Sequence, residues 1–199
     1  MHFNYTNDAP LDFECKTFMP RERLIRHRDT YMGNAAAGLA VYTDGDKIVK
    51  GSGAEVALML SRRGASSVPR GKRRFAAAVR ESAAEYYCHC MFFSSFGAAA
   101  APKREEIEKI EKSFGSLENF RYLFCQSAAE EKRPGYLWLL KEKNNRLRLW
   151  FSAGHSLYPA GCKAVLCLDL WEHAYIETYG ANRGAYAAAF LSAADFSRI

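Results

Sequence analysis

No stretch of this 199-residue sequence approaches about 18 uninterrupted apolar residues, so it offers no membrane-spanning helix. Cysteine is sparse: Cys15, Cys88, Cys90, Cys125, Cys162 and Cys167 are scattered along the chain. That density excludes a disulfide scaffold, no pair has the CxxC spacing of a zinc knuckle, and a reducing compartment is the default. The first residues, Met1 to Asp8, lack an apolar signal core and an Arg-rich leader, which implies a chain that is not imported or is already mature. Acidic residues are in the minority. The 28 Lys+Arg against 22 Asp+Glu give a net charge of +6, which suits an anionic partner without demanding one. What is present is 49% hydrophobic and 14% aromatic residues, ample for a packed core and against wholesale disorder.

The pattern predicts helices first and a small sheet second, an α+β protein. One long helix is predicted from Arg21, just after Pro20, to about Val41, and a short apolar helix from Glu55 to Leu60. The Gly, Pro and Ser content from Ser61 to Arg74 excludes a regular element. A second long helix runs from Phe75 to about Phe96, forming a hairpin with the first. Gly97 to Pro102 reads as a linker. The chain thus divides into an N-terminal helical hairpin domain with a basic loop (1–100) and a C-terminal α/β domain (101–199). In the second part Glu105–Phe114 and Leu117–Glu131 are amphipathic helices, the latter capped by Ser116. Tyr136–Leu140 and Leu147–Phe151 flank Lys143-Asn144-Asn145-Arg146 as a β-hairpin, and Ala164–Leu168 adds a third antiparallel strand. A last helix covers Arg183 to Ala193.

The most specific string is Leu168-Asp169-Leu170-Trp171-Glu172-His173-Ala174-Tyr175. An Asp and a His four apart, just after a strand, can converge on one metal ion, and their oxygen and nitrogen donors suit iron or manganese as well as zinc. The whole string resembles the C-terminal metal motif of the iron/manganese superoxide dismutases. The resemblance extends to Lys112–Phe120, to Gly135-Tyr136-Leu137-Trp138-Leu139, and to Asn182-Arg183 with Tyr186. Upstream, Tyr87–Phe93 fits that family's Trp-Asn-His-x-Phe-Tyr-Trp, and Arg26–Tyr31 fits the end of its His-x3-His-His-x-x-Tyr. The resemblance implies a helical hairpin followed by an α/β domain with a three-stranded antiparallel sheet.

Carried over by position, the resemblance makes His89, Asp169 and His173 metal ligands. The first ligand position falls on Arg23, whose guanidinium has no lone pair to donate and stays protonated. His27 lies one turn away and could replace it only by a shift of the helix, and cores resist such shifts. Among the groups around the ligands, Tyr31 is retained as the gateway tyrosine, Glu85 stands where iron-type members carry Gln, and His155 occupies the position from which manganese-type members place theirs. Cys88 and Ile176 replace an Asn and a Tyr. On these positions the site is expected to be retired, its three retained ligands buried polar residues, with Arg23 paired to Asp169 or Glu85. No catalytic residue and no cofactor are then expected, while iron or manganese is implied if the enzyme is active. Glu172 and His173 imply a surviving dimer contact, with a homologous chain or with itself.

Arg62, Arg63, Arg70, Lys72, Arg73 and Arg74 concentrate six cations on the loop between the long helices, without the aromatics that stack on bases. Such a loop is expected to contact RNA phosphates rather than base edges. These features together predict a non-catalytic, superoxide dismutase-like component of the mitochondrial ribosome small subunit, located in the matrix, with ribosomal RNA, ribosomal proteins and a homologous subunit as partners. The alternatives are an active iron/manganese superoxide dismutase and a structural subunit of a respiratory complex.

Overall fold

The computed structural model describes residues 5–9, 11, 18–43, 53–62, 73–97 and 101–199. After a short helix α1 (Tyr5–Asp8), Pro20 sits in extended backbone and lets α2 (Arg21–His27) begin behind it. Helix α2 runs directly into a π-helical turn (Arg28–Met32) and then α3 (Gly33–Thr43). The long first helix is therefore continuous, but widened in its middle. Helices α3 and α4 (Gly53–Ser61) both pack on α5 (Arg73–Phe93).

The C-terminal part holds α6 (Arg104–Phe114), α7 (Leu117–Glu130), β1 (Gly135–Lys141), β2 (Leu147–Ala153), β3 (Lys163–Asp169), α8 (Glu172–Tyr179) and α9 (Arg183–Ala193). Ser116 caps α7 by accepting the Asn119 N–H at 3.0 Å. The sheet order is β2-β1-β3, antiparallel throughout, with Tyr136 opposite Asp169 and Trp138 opposite Cys167. Strand β1 lies in the middle and is buried from Gly135 to Leu140, which is why it reads as an unbroken apolar run. Gly135 permits the close approach of β2: a Cβ there would lie 2.1 Å from the Ser152 carbonyl oxygen. Helix α8 was not among the predicted elements.

The core joins the two parts. Phe18, Phe92, Phe96 and Phe190 meet edge-on or stacked, with ring centroids 5.0–6.3 Å apart. Buried Ser95 adds a polar tie: its hydroxyl donates to the Met91 carbonyl (2.6 Å) and accepts the Cys167 N–H (2.8 Å), joining the end of α5 to β3. This contact sets the height of His89 on α5 against Asp169 at the end of β3. Among the described residues no helix is long and apolar enough to cross a membrane.

Candidate metal centre

Strand β3 ends in Asp169, and the chain turns at once into α8. The turn is made by Asp169 itself, whose Oδ1 accepts the Trp171 N–H at 2.8 Å, leaving Oδ2 turned inward. Three imidazole Nε2 atoms surround that oxygen, from His27 at 3.3 Å, His89 at 3.6 Å and His173 at 3.5 Å. The four donor atoms lie within 4.8 Å of one another. None of the four has a hydrogen-bond partner, although three of the residues are buried and His173 nearly so. Buried lone pairs left without donors are costly, and four of them aimed at one point describe a cation site.

Their protonation suits that reading. Burial pushes His89 down to about 3 and lowers His27 as well. Burial alone would raise Asp169, but contacts with His173 and His27 outweigh it and hold the carboxyl well below its usual range. His89 Nδ1 lies 2.9 Å from the Glu85 carbonyl, which accepts its proton and turns Nε2 inward. The buried imidazoles His27 and His89 thus offer neutral nitrogens beside an anionic carboxylate. A set of three imidazoles and one carboxylate fits iron or manganese, so the residues present fit the metal that the resemblance implies.

The expectation of a ligand lost at Arg23 is corrected. Arg23 forms an ion pair with Glu177 of α8, which Arg26 approaches at 3.7 Å. His27 supplies the first donor. Two physical features permit this. Helix α2 starts only at Arg21, so little helix precedes His27 and no long element has to slide. The π-helical turn begins directly after His27 and carries Tyr31, so donor and tyrosine stand four residues apart and still meet at the site. The Tyr31 ring lies flat on His173, with centroids 3.6 Å apart.

His155 lies beside the donor set rather than in it: its ring stacks on Trp171 at 5.0 Å, and Nδ1 is 3.4 Å from the Tyr136 hydroxyl. Burial, foremost, raises the Glu85 carboxyl. Glu172 stands exposed on α8, with one oxygen 3.7 Å from Arg183. Of the basic loop, Arg63, Arg70 and Lys72 lie outside the described residues, Arg73 and Arg74 open α5, and Arg62 rests over the Tyr158 ring at 5.1 Å. A cavity of about 210 Å³ reaches the donors, with His27, Tyr31 and His173 in its wall and Arg23, Arg26 and Glu177 at its more exposed side. Sequence reasoning named His27 only as a replacement that needed a helix shift, and it missed the pairing of Arg23 and Arg26 with Glu177. The Asp-Leu-Trp turn was the available signal for the Trp171 N–H.

A helical layer that delivers two histidines to an Asp–His pair at the end of a three-stranded sheet defines an α+β protein with a candidate metal centre. The family described as iron/manganese superoxide dismutases, C-terminal domain, matches residues 102–199. The chain belongs, through this domain, to the iron/manganese superoxide dismutase family. It is 30% identical over 115 residues to "Superoxide dismutase [Fe] 3, chloroplastic" of Arabidopsis thaliana, covering 56% of this chain and 44% of the relative. It is 38% identical over 92 residues to "Superoxide dismutase [Fe]" of Coxiella burnetii, covering 45% and 46%. To the protein of that name from Legionella pneumophila it is 33% identical over 118 residues, covering 57% and 61%. The chain spans about half the length of the relatives it matches. These relatives are named as enzymes, and the donor set is complete in His27, so the expectation of a non-enzyme is overturned.

Proposed function

We propose that the chain is an iron- or manganese-dependent superoxide dismutase. The observation that carries this reading is the set of four unpartnered donors, His27, His89, Asp169 and His173, converging within 4.8 Å. When bound, the metal supplies a one-electron redox cycle that turns two superoxide anions and two protons into dioxygen and hydrogen peroxide. The protein's part is positional and electrostatic. Asp169, locked by the Trp171 N–H, contributes a fixed negative oxygen. Glu85 sets the tautomer of His89 through its carbonyl. Tyr31 braces His173 and narrows the approach from solvent. Tyr136 and His155 form a polar pair next to His89 through which a proton could be held close to the reacting anion.

The test is metal analysis of the purified chain, followed by reconstitution with iron or manganese and assay of superoxide-dependent cytochrome c reduction. Near-stoichiometric binding with activity above that of free metal is expected. Absent metal uptake sinks the proposal. Pairing through α8 belongs to the same reading, because Glu172 is exposed beside the ligand His173; light scattering should give a dimer that Glu172→Ala weakens. The ribosomal and matrix reading rests on the basic loop, most of which lies outside the described residues, and the donor set favours the enzymatic one.

A further inference from the structure

Helix α2 delivers His27 to the donor set and passes at once into a π-helical turn, an uncommon geometry that a helix does not adopt by default. Two arginines tie this segment to the chain before it. Arg21, the first residue of α2, donates from Nε and Nη2 to the Leu11 carbonyl at 3.2 and 2.8 Å. Arg28, the first residue of the π-helical turn, donates from Nη1 to the Ala9 carbonyl at 3.3 Å. The two stand two helical turns apart and so share a face, bracketing the segment that ends in His27. Both acceptors belong to buried residues. Asp8, beside Ala9, is fixed to α5: its Oδ2 accepts the hydroxyl of buried Tyr86 at 2.6 Å. Gly53 makes room for this contact, since a Cβ there would collide with that oxygen. Tyr86 precedes His89 by almost one turn of α5. Asp8, Ala9 and Leu11 therefore link the helix that carries His27 to the helix that carries His89.

We propose that Arg21 and Arg28 are positioning residues for the metal centre, holding α2 and the π-helical turn in the register that aims His27 at Asp169. The inference rests on the four donors being a metal site and adds the groups that keep the first of them in place. Hydrogen bonds from a guanidinium are charge-assisted, and a buried carbonyl stripped of its donor is costly. A slide of α2 by one residue turns its side chains by about 100° around the axis. It would break all three guanidinium bonds and swing His27 away from the Asp169 Oδ2 that it meets at 3.3 Å. The two arginines touch neither the metal donors nor the approach to them; they act through the helix.

The metal-free full chain is treated with diethyl pyrocarbonate, and acylation of His27 and His89 is followed separately by peptide mass spectrometry. Both are buried and should react slowly in the wild type. Arg21→Ala and Arg28→Ala should each speed the reaction of His27 about fivefold or more and leave His89 within about twofold, because local opening exposes only the segment that is released. Arg104→Ala, which removes an exposed cation on α6, should change neither rate. Should an alanine variant misfold, Arg21→Lys and Arg28→Lys carry the test: each keeps a charged donor but loses the fork, and intermediate rates are expected. In a second arm Co²⁺, followed by its visible absorption, should bind about tenfold more weakly to each alanine variant than to the wild type. Unchanged His27 rates overturn the proposal, and so does equal acceleration at His27 and His89, which signals general loosening. Selective exposure of His27 in a chain whose wild type takes up no Co²⁺ upholds the grip of the arginines and overturns the metal reading instead.

Discussion

Tyr31 lies parallel to His173 within 16°, its ring centroid 3.6 Å away, so a residue of the first helical segment clamps a ligand on α8. The contact fixes the ring orientation of the most exposed of the four donors. Tyr31→Phe should keep the stack and the bound metal. Tyr31→Ala should speed metal loss to a chelator about tenfold, the range in which outer groups of metal sites act. Equal loss rates in the two variants would show that the stack does not hold His173.

The assignment of the first donor separates cleanly by mutation. His27→Ala should lower metal affinity about a hundredfold or more, because it removes one of four donors. Arg23→Ala should leave metal stoichiometry unchanged, since Arg23 is occupied with Glu177. Elemental analysis after dialysis against chelator reads both. The reverse pattern would return the first ligand position to residue 23.

The approach to the donors carries two guanidiniums against one carboxylate. Arg26→Glu should therefore reduce kcat/KM for superoxide about three- to tenfold at low salt, and Glu177→Gln should raise it by a smaller factor. Both differences should shrink above about 0.2 M salt as screening sets in. Stopped-flow decay of superoxide over a salt series measures this. Rates insensitive to both substitutions count against steering.

Ser95 is the polar tie between α5 and β3. Ser95→Ala leaves the Cys167 N–H buried without an acceptor and should cost about 1–3 kcal/mol, read as a lower urea midpoint. Ser95→Thr, which keeps the acceptor oxygen, should recover part of that loss. A Ser95→Ala midpoint equal to wild type would mean that the N–H finds another acceptor.

Glu131, at the end of α7, accepts side-chain bonds from Arg133, which hold its carboxyl down at about 2 against an ordinary 4.5. The unfolded chain takes up this proton first, so the pair's stabilisation is complete above pH 4.5 and disappears as pH falls toward 2. Solvent screening at the exposed Arg133 keeps the pair's contribution small. Glu131→Gln should slightly flatten the acid limb of the stability curve, measured by urea titration between those pH values.

From residue 104 onward the sequence was legible because each element carries its own period or cap: β1 is an apolar run, Asn145 turns the hairpin at φ 61°, and Ser116 opens α7. Helix α8 escaped because Trp171 stands at its cap position and makes no side-chain cap bond, so no start signal marks it. His89, Asp169 and His173 could be placed from local strings. His27 could not. Counting back from Tyr31 by the family's spacing presupposes regular helix, and the π-helical turn that brings His27 in has no sequence pattern of its own. The pairing of Arg23 with Glu177 spans most of the chain and depends on how α2 meets α8, which spacing along the sequence does not encode.

The four donors are drawn from residues 27, 89, 169 and 173, on α2, α5, β3 and α8. An ion held by all of them acts as a staple across the whole described fold, closing loops far longer than any hairpin. Its removal leaves an anionic carboxylate facing three lone pairs in the dry interior, a locally frustrated arrangement that favours opening. Survival of the chain against proteases should therefore follow the supply of metal, which makes its abundance in a cell a readout of metal status as much as of its own synthesis.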